Sequence, residues 1–181
     1  MRIPVWLLGD PTPLPFLGHA RAHVEGPDAR LSASARLGVG GGVAEAFWAA
    51  RGLERALQSA AGPGDRNAML WRAWAALFAL DRASLGPAQG EDLSLILAAA
   101  DAAGCGVAGV GLSAVWGLRE GRLVPLAEGA HPLLAPPGLP RRTPGVLTLD
   151  FVPDAIIGRP HHHRGEAPAV EDLAALAGVR A

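Results

Sequence analysis

Hydrophobic positions along the chain follow a two-residue period in some stretches and a helical period in others, and the changes of period mark the elements. Ile3–Leu8 is a short apolar run, expected as a strand, before a connector in which Pro11, Pro13 and Pro15 forbid regular pairing. "HARAHVEG" and "ARLSASARLGV" then alternate as half-buried strands do, with Leu31, Ala33, Ala35 and Leu37 on one face and "EGPD" as the turn of a hairpin. From Val43 to about Ser59 the period becomes helical. Val43, Phe47, Ala50, Leu53 and Leu57 form one stripe, and Glu45, Arg51, Glu54 and Arg55 fall mostly off it.

"AGPGD" breaks that helix, and a second is expected from Arg66 to about Leu85. Its apolar residues, Met69, Leu70, Trp71, Trp74, Leu77, Phe78 and Leu80, cover more than one narrow stripe. Such a helix is either well buried or keeps a second apolar face for a partner. Strands resume after "GPAQG": "DLSLILAAADA", then "GCGVAGVGLSAVWGL", then "REGRLVPLAEG" beyond a tight turn at Glu120–Gly121, as antiparallel neighbours. A proline-rich loop, 132–144, leads to the strand "GVLTLDFV". Residues 158–181 read as an irregular histidine-rich tail with a short closing helix, "AVEDLAALAG".

The size, 181 residues, suits one domain spanning 1–181, with 1–18 as its N-terminal strand and connector. Half the residues are apolar and 18% charged, which argues against disorder. All sixteen basic residues are arginine and the net charge is −1, so no nucleic-acid surface is expected. The longest apolar run falls short of the roughly 18 residues a membrane helix needs. A lone cysteine, Cys105, excludes an intramolecular disulfide and a cysteine-built zinc cluster. A cytoplasmic location with no membrane contact is the expectation.

The glycine turn Gly38, Gly40, Gly41 and Gly42 opens the first helix, yet it lacks the lysine and hydroxyl of a nucleotide loop. Three local patterns make the chain resemble the metal-dependent protein phosphatases of type 2C. That family has Ala-Asp-Gly-Met-Gly-Gly where "RLGVGG" (Arg36 to Gly41) stands. It has Val-Gly-Asp-Ser-Arg at the start of "VGLSAVWGLREGRLVPLAEGAHPLL" (Val110 to Leu134), and Ser-Asp-Gly-Leu-x-Asp at "LDFVPD" (Leu149 to Asp154). The resemblance covers most of 19–157 and implies an α+β fold: an antiparallel β-sandwich flanked by helices, like a shortened phosphatase domain.

The same resemblance implies a site that has lost its metal ligands. Leu37 replaces the aspartate that bridges two ions, Leu112 another acid, and Ala114 the arginine beside it. The family's Arg-x-x-Asn-Glu-Asp segment and closing Asp-Asn have no clear counterpart. Asp150 matches a ligand, and Asp154 keeps the spacing of the second acid. Two neighbouring divalent ions need several carboxylates, so no cofactor is expected. The glycines Gly38, Gly40 and Gly41 then read as the remnant of a metal turn; a plain strand-to-helix connector and an anion site at the helix N-terminus are the other readings.

The function expected is a catalytically inactive, phosphatase-like module in a larger bacterial assembly. It would act on a protein partner or on a second copy of itself, with Trp71, Trp74 and Met69 as interface candidates beside a core-packing role. The alternative is a manganese- or magnesium-dependent hydrolase with an altered site of Asp150, Asp154 and the run His161, His162 and His163, histidines that otherwise read as solvated loop residues. His19, Arg21 and His23 are expected as a solvent-facing row on one strand face. Cys105, between glycines at a turn, and Ser113, inside an apolar strand, are weak nucleophile candidates.

Overall fold

In a computed structural model of the chain, the residues described are 2–8, 19–36, 43–80, 93–134 and 144–161. Its elements in chain order are β1 (Val5–Leu7), β2 (His19–Glu25), β3 (Arg30–Arg36), α1 (Val43–Gln58), α2 (Arg66–Phe78), β4 (Ser94–Asp101), β5 (Gly104–Val110), β6 (Leu112–Arg119), β7 (Arg122–Ala127), β8 (Val146–Leu149) and β9 (Ala155–Pro160). The class is α+β. A five-stranded sheet, in the order β2-β3-β4-β5-β8, stacks on a four-stranded sheet, β1-β9-β6-β7.

The period-two stretches pair as expected. β2 and β3 form the hairpin, from His19 opposite Arg36 to Glu25 opposite Arg30, and Gly26 N–H closes the turn on Ala29 O at 2.9 Å. Ala20, Ala22, Val24, Leu31, Ala33 and Ala35 face the helices and are buried against Leu53, Leu57 and Leu77. β4 is buried on both faces, which explains why its sequence is apolar throughout instead of alternating. Leu95 and Leu97 join the helix-side core, while Ile96 and Ala98 join the core between the sheets with Val5, Leu7, Val107, Leu112 and Ile156.

Two departures from the sequence reading set the topology. The run "GCGVAGVGLSAVWGL" is two strands in different sheets, because Gly111 turns the chain at φ +68°. A Cβ there would lie 2.2 Å from Leu93 O, so only glycine permits the crossing between sheets. The second departure is β9, which occupies 155–160 where the sequence suggested the start of an irregular tail. Its short "AII" run between Pro153 and Gly158 carries little strand signal by itself. Lying between β1 and β6, it becomes a central strand. It pairs parallel with β1 and antiparallel with β6, so the sandwich is not wholly antiparallel.

Helix α2 is fastened at its N-terminal end. Asp65 caps it, its Oδ1 accepting from Ala68 N–H at 2.9 Å. The Arg66 guanidinium donates to Asp101 Oδ1 at 2.6 Å, and Arg66 N–H donates to Asp101 Oδ2 at 3.1 Å, tying the helix start to the end of β4. Arg72 donates to the carbonyls of Ala60, Gly62 and Pro63 at 2.9, 3.1 and 2.8 Å, which locks the α1–α2 connection. Gly106 lets the helix lie directly on β5, since a Cβ there would come within 2.7 Å of Leu70 Cδ1. The helix ends at Phe78, shorter than the period suggested; residues 81–85 lie outside the described residues, as does the expected closing helix.

Candidate functional site

Of the segments that carry the family resemblance, the described end of the first and the start of the second lie at one end of the five-stranded sheet, and Asp150 of the third lies at the other. β3 ends at Arg36, opposite Ser94 at the start of β4. Gly111 lies at this same end: its carbonyl accepts from Ser94 Oγ and from His161 N–H, both at 3.0 Å. Leu112, the next residue, is therefore at this end too. Leu149 pairs with Cys105, which aligns Asp150 with Gly104 and Asp101 at the other end of the sheet. Ser94 and Asp101 are seven residues apart along β4, so about 23 Å separates the two ends at ~3.3 Å per residue.

Leu112 is fully buried at 0% exposure and packs between the sheets. Two glycines make room for it, since a Cβ at Gly109 would lie 2.6 Å from Leu112 Cδ1 and one at Gly158 would lie 3.1 Å from Cδ2. The position that the sequence resemblance matches to an acid is thus an apolar core site, and leucine supplies no donor for an ion. Leu37 and the glycines Gly38, Gly40 and Gly41 lie outside the described residues. Among the described residues no group of three or more His, Cys, Asp or Glu could hold a metal ion.

The two acids of "LDFVPD" have structural duties. Asp154 Oδ2 accepts from Glu120 N–H at 3.1 Å, and Asp154 N–H donates to Leu118 O at 2.8 Å. These bonds hold the β6–β7 turn, where Glu120 adopts φ +51°. Phe151, where the family has glycine, lies under the Arg119 guanidinium at 4.3 Å from its ring centre. The segment after Asp150 is accordingly clamped to that turn. His161 is at the opposite end of β9 from Asp154, seven residues or about 23 Å away. An altered hydrolase site joining Asp150, Asp154 and His161 is thus not assembled, and His162 and His163 lie outside the described residues.

The remaining candidate nucleophiles are also accounted for. Cys105 is inside β5 and not at a turn, with its thiol pushed up to about 12 by burial, so it stays protonated at neutral pH. Ser113 Oγ accepts from Arg159 Nε at 3.0 Å and donates to Arg159 O at 3.3 Å. His23, expected to face solvent, is largely covered: its Nδ1 meets Ser32 Oγ at 3.1 Å and its Nε2 meets Glu25 Oε1 at 3.3 Å.

Helix α2 separates the interface candidates. Trp74, 2% exposed, and Met69, fully buried, belong to the core against the five-stranded sheet, which corrects their assignment to an interface. They are spaced to follow the same inward stripe as Leu70, Ala73 and Leu77. Trp71 is different, at 48% exposed, and Phe78 beside it on the outer face is 51% exposed. The sequence reading missed Phe78 as a surface residue, although its i, i+7 spacing from Trp71 signals a shared face. Between the helices runs an open groove of about 560 Å³, with Arg51, Gly52, Arg55, Ala56 and Ser59 toward α1 and Ala76, Ala79 and Leu80 on the α2 side.

No protein-family model and no curated protein sequence matches the chain. Solved structures do. A Mycobacterium tuberculosis structure of RsbU and RsbW domains superposes with a TM-score of 0.51 at 12% identity, over 81% of this chain and 38% of that one. This chain has a type-2C phosphatase-like fold. A stage II sporulation E family protein from Thermanaerovibrio acidaminovorans is similar at 19% identity and a TM-score of 0.42, over 74% of each chain. The M. tuberculosis serine/threonine phosphatase PstP/Ppp matches at 17% and 0.44, over 72% of this chain and 66% of its own. The phosphatase-like chain thus spans well under half the length of the first of these structures.

Proposed function

We propose that this phosphatase-like domain is a catalytically inactive module that works by contact with another protein. The observation that carries the reading is Leu112, a packed core leucine at the position that the sequence resemblance matches to the acid of Val-Gly-Asp-Ser-Arg. The ~23 Å between that end of the sheet and Asp150 adds to it, because ions a few ångströms apart require their ligands at one place. The outer face of α2 supports the second half of the reading: Trp71 and Phe78 are both about half exposed, and large aromatic side chains on one face are what protein interfaces bury. No metal cofactor enters the proposal.

The test is hydrolysis of a phosphoserine peptide with manganese or magnesium, comparing the full chain with Asp150→Ala. The expected outcome is no metal-dependent turnover above that of the variant. Metal-dependent hydrolysis that Asp150→Ala abolishes would overturn the inactive reading.

A further inference from the structure

The outer face of the four-stranded sheet is buried, although α1 and α2 both pack on strands of the other sheet. Ala114, Trp116 and Ile157 form a small core of their own there, edged by Trp6, Leu8 and Leu123. The register sets them side by side: Ile157 is opposite Trp6 on β1 and opposite Trp116 on β6. Their neighbours along the strands, Val5, Leu7, Val115 and Ile156, point the other way, into the core between the sheets. A tryptophan standing on an uncovered sheet shows much of its ring to water, yet Trp116 is 5% exposed and Ile157 beside it 1%. Burial this deep requires a further apolar layer above the face.

Connectivity narrows the choice of that layer among the segments outside the described residues. Residues 37–42 and 81–92 join the five-stranded sheet to its own helices, and 135–143 leave and return beside β8, where the Pro132 carbonyl abuts Gly145. Residues 9–18 are held at both ends, by β1 and β2, and Pro11, Pro13 and Pro15 bar them from a helix. Residues 162–181 follow His161, whose N–H is bonded to Gly111 O directly after β9, the strand that carries Ile157. Val170, Leu173, Ala174 and Ala177 recur there at i, i+3, i+4 and i+7, with Glu171, Asp172 and Ala175 on the opposite arc and Pro168 suited to a first turn.

We propose that residues 169–178 form an amphipathic helix that lies across Trp6, Ile157 and Trp116 with its Leu173 side inward. The lengths agree: a ten-residue helix is about 15 Å long, and the connector 162–168 reaches up to ~23 Å, enough to return along the roughly 20 Å of β9. Charge agrees as well. The guanidinium of Arg21 lies 4.5 Å from the centre of the Trp6 ring and that of Arg159 lies 5.5 Å from the centre of Trp116, so cations border the apolar patch and suit a helix whose outer arc begins with Glu171 and Asp172. The inference goes beyond the proposed function and does not depend on it, and it withdraws this sheet face from the surfaces open to a partner.

The test is photo-crosslinking in the full chain. The photoreactive amino acid p-benzoylphenylalanine replaces Leu173 in one sample and Ala175, on the opposite arc, in another; each is irradiated as a mixture of isotope-labelled and unlabelled protein, and the joined peptides are mapped by mass spectrometry. The expected result is that the Leu173 probe joins β1, β6 or β9 of its own chain with a yield about tenfold or more above that of the Ala175 probe, because residues 173 and 175 stand about 200° apart around a helix. Products with α1, α2 or the five-stranded sheet would overturn the proposal, as would equal yields from the two positions or no product at all. Crosslinks confined to residues 9–18 would overturn it by giving the face to that connector. Mixed-isotope products as the main species would do so by giving it to a second copy of the chain.

Discussion

Introducing an acid, Leu112→Asp, should unfold the domain before it creates a metal site. The leucine is fully buried between the sheets, and removing its side chain from that core forfeits about 1.5–3 kcal/mol. A carboxyl put there without a partner adds about 1–3 kcal/mol even in its neutral form. The total, roughly 3–6 kcal/mol, is a large part of the roughly 5–15 kcal/mol typical of a domain. Burial raises the pKa of such an acid, so the folded state binds the proton more tightly than the unfolded state. The deficit relative to the parent must then widen as pH rises above about 3.9 and narrow below it. Urea unfolding at pH 4 and pH 8, with Leu112→Ala as the apolar control, separates the cavity contribution from the polar one. A variant whose urea midpoint matches the parent at pH 8 and rises further with manganese would refute the reasoning, since it would mark the position as an accessible ligand site.

Arg72→Ala removes three hydrogen bonds from one guanidinium to the carbonyls of Ala60, Gly62 and Pro63, and should cost about 2–4 kcal/mol in chemical denaturation, with Arg72→Lys recovering only part. Asp101 provides a pH test: burial pushes its carboxyl upward, but the N–H groups of Arg66 and Ala103 and the Arg66 guanidinium outweigh it and hold the pKa below the ordinary 3.8. Because the folded value is depressed, the stabilisation is present above about pH 4 and lost as pH falls through the lower folded value. Asp101→Asn should flatten this acid limb of the stability profile, and an unchanged limb would contradict the assignment.

The hairpin of β2 and β3, the two helices and the β4 run were legible from periodicity, because each buries one face or is apolar throughout against layers on both sides. The N-terminal capping of α2 by Asp65 likewise follows a local rule. The glycine positions were visible too, but their meaning was not: Gly111 moves the chain from one sheet to the other, and that depends on Leu93 standing 2.2 Å from the missing Cβ. β9 escaped notice because three apolar residues become a central strand only when β1 and β6 lie on either side of them.

For the site, the sequence alone determined which residue types occupy the family's motif positions, and hence that a leucine stands where an acid is expected. Tertiary structure decided where those positions lie. Asp150 and Asp154 are near one another in sequence, yet one ends β8 and the other braces the β6–β7 turn, while His161 is across the length of β9. It also divided a single apolar helix into core and surface. Trp71 and Trp74 differ by three residues, about 300° around the helix axis, and a sheet on one side buries the second while leaving the first to solvent. Spacing along a chain fixes which side chains share a face, but only packing against distant segments decides which face meets water.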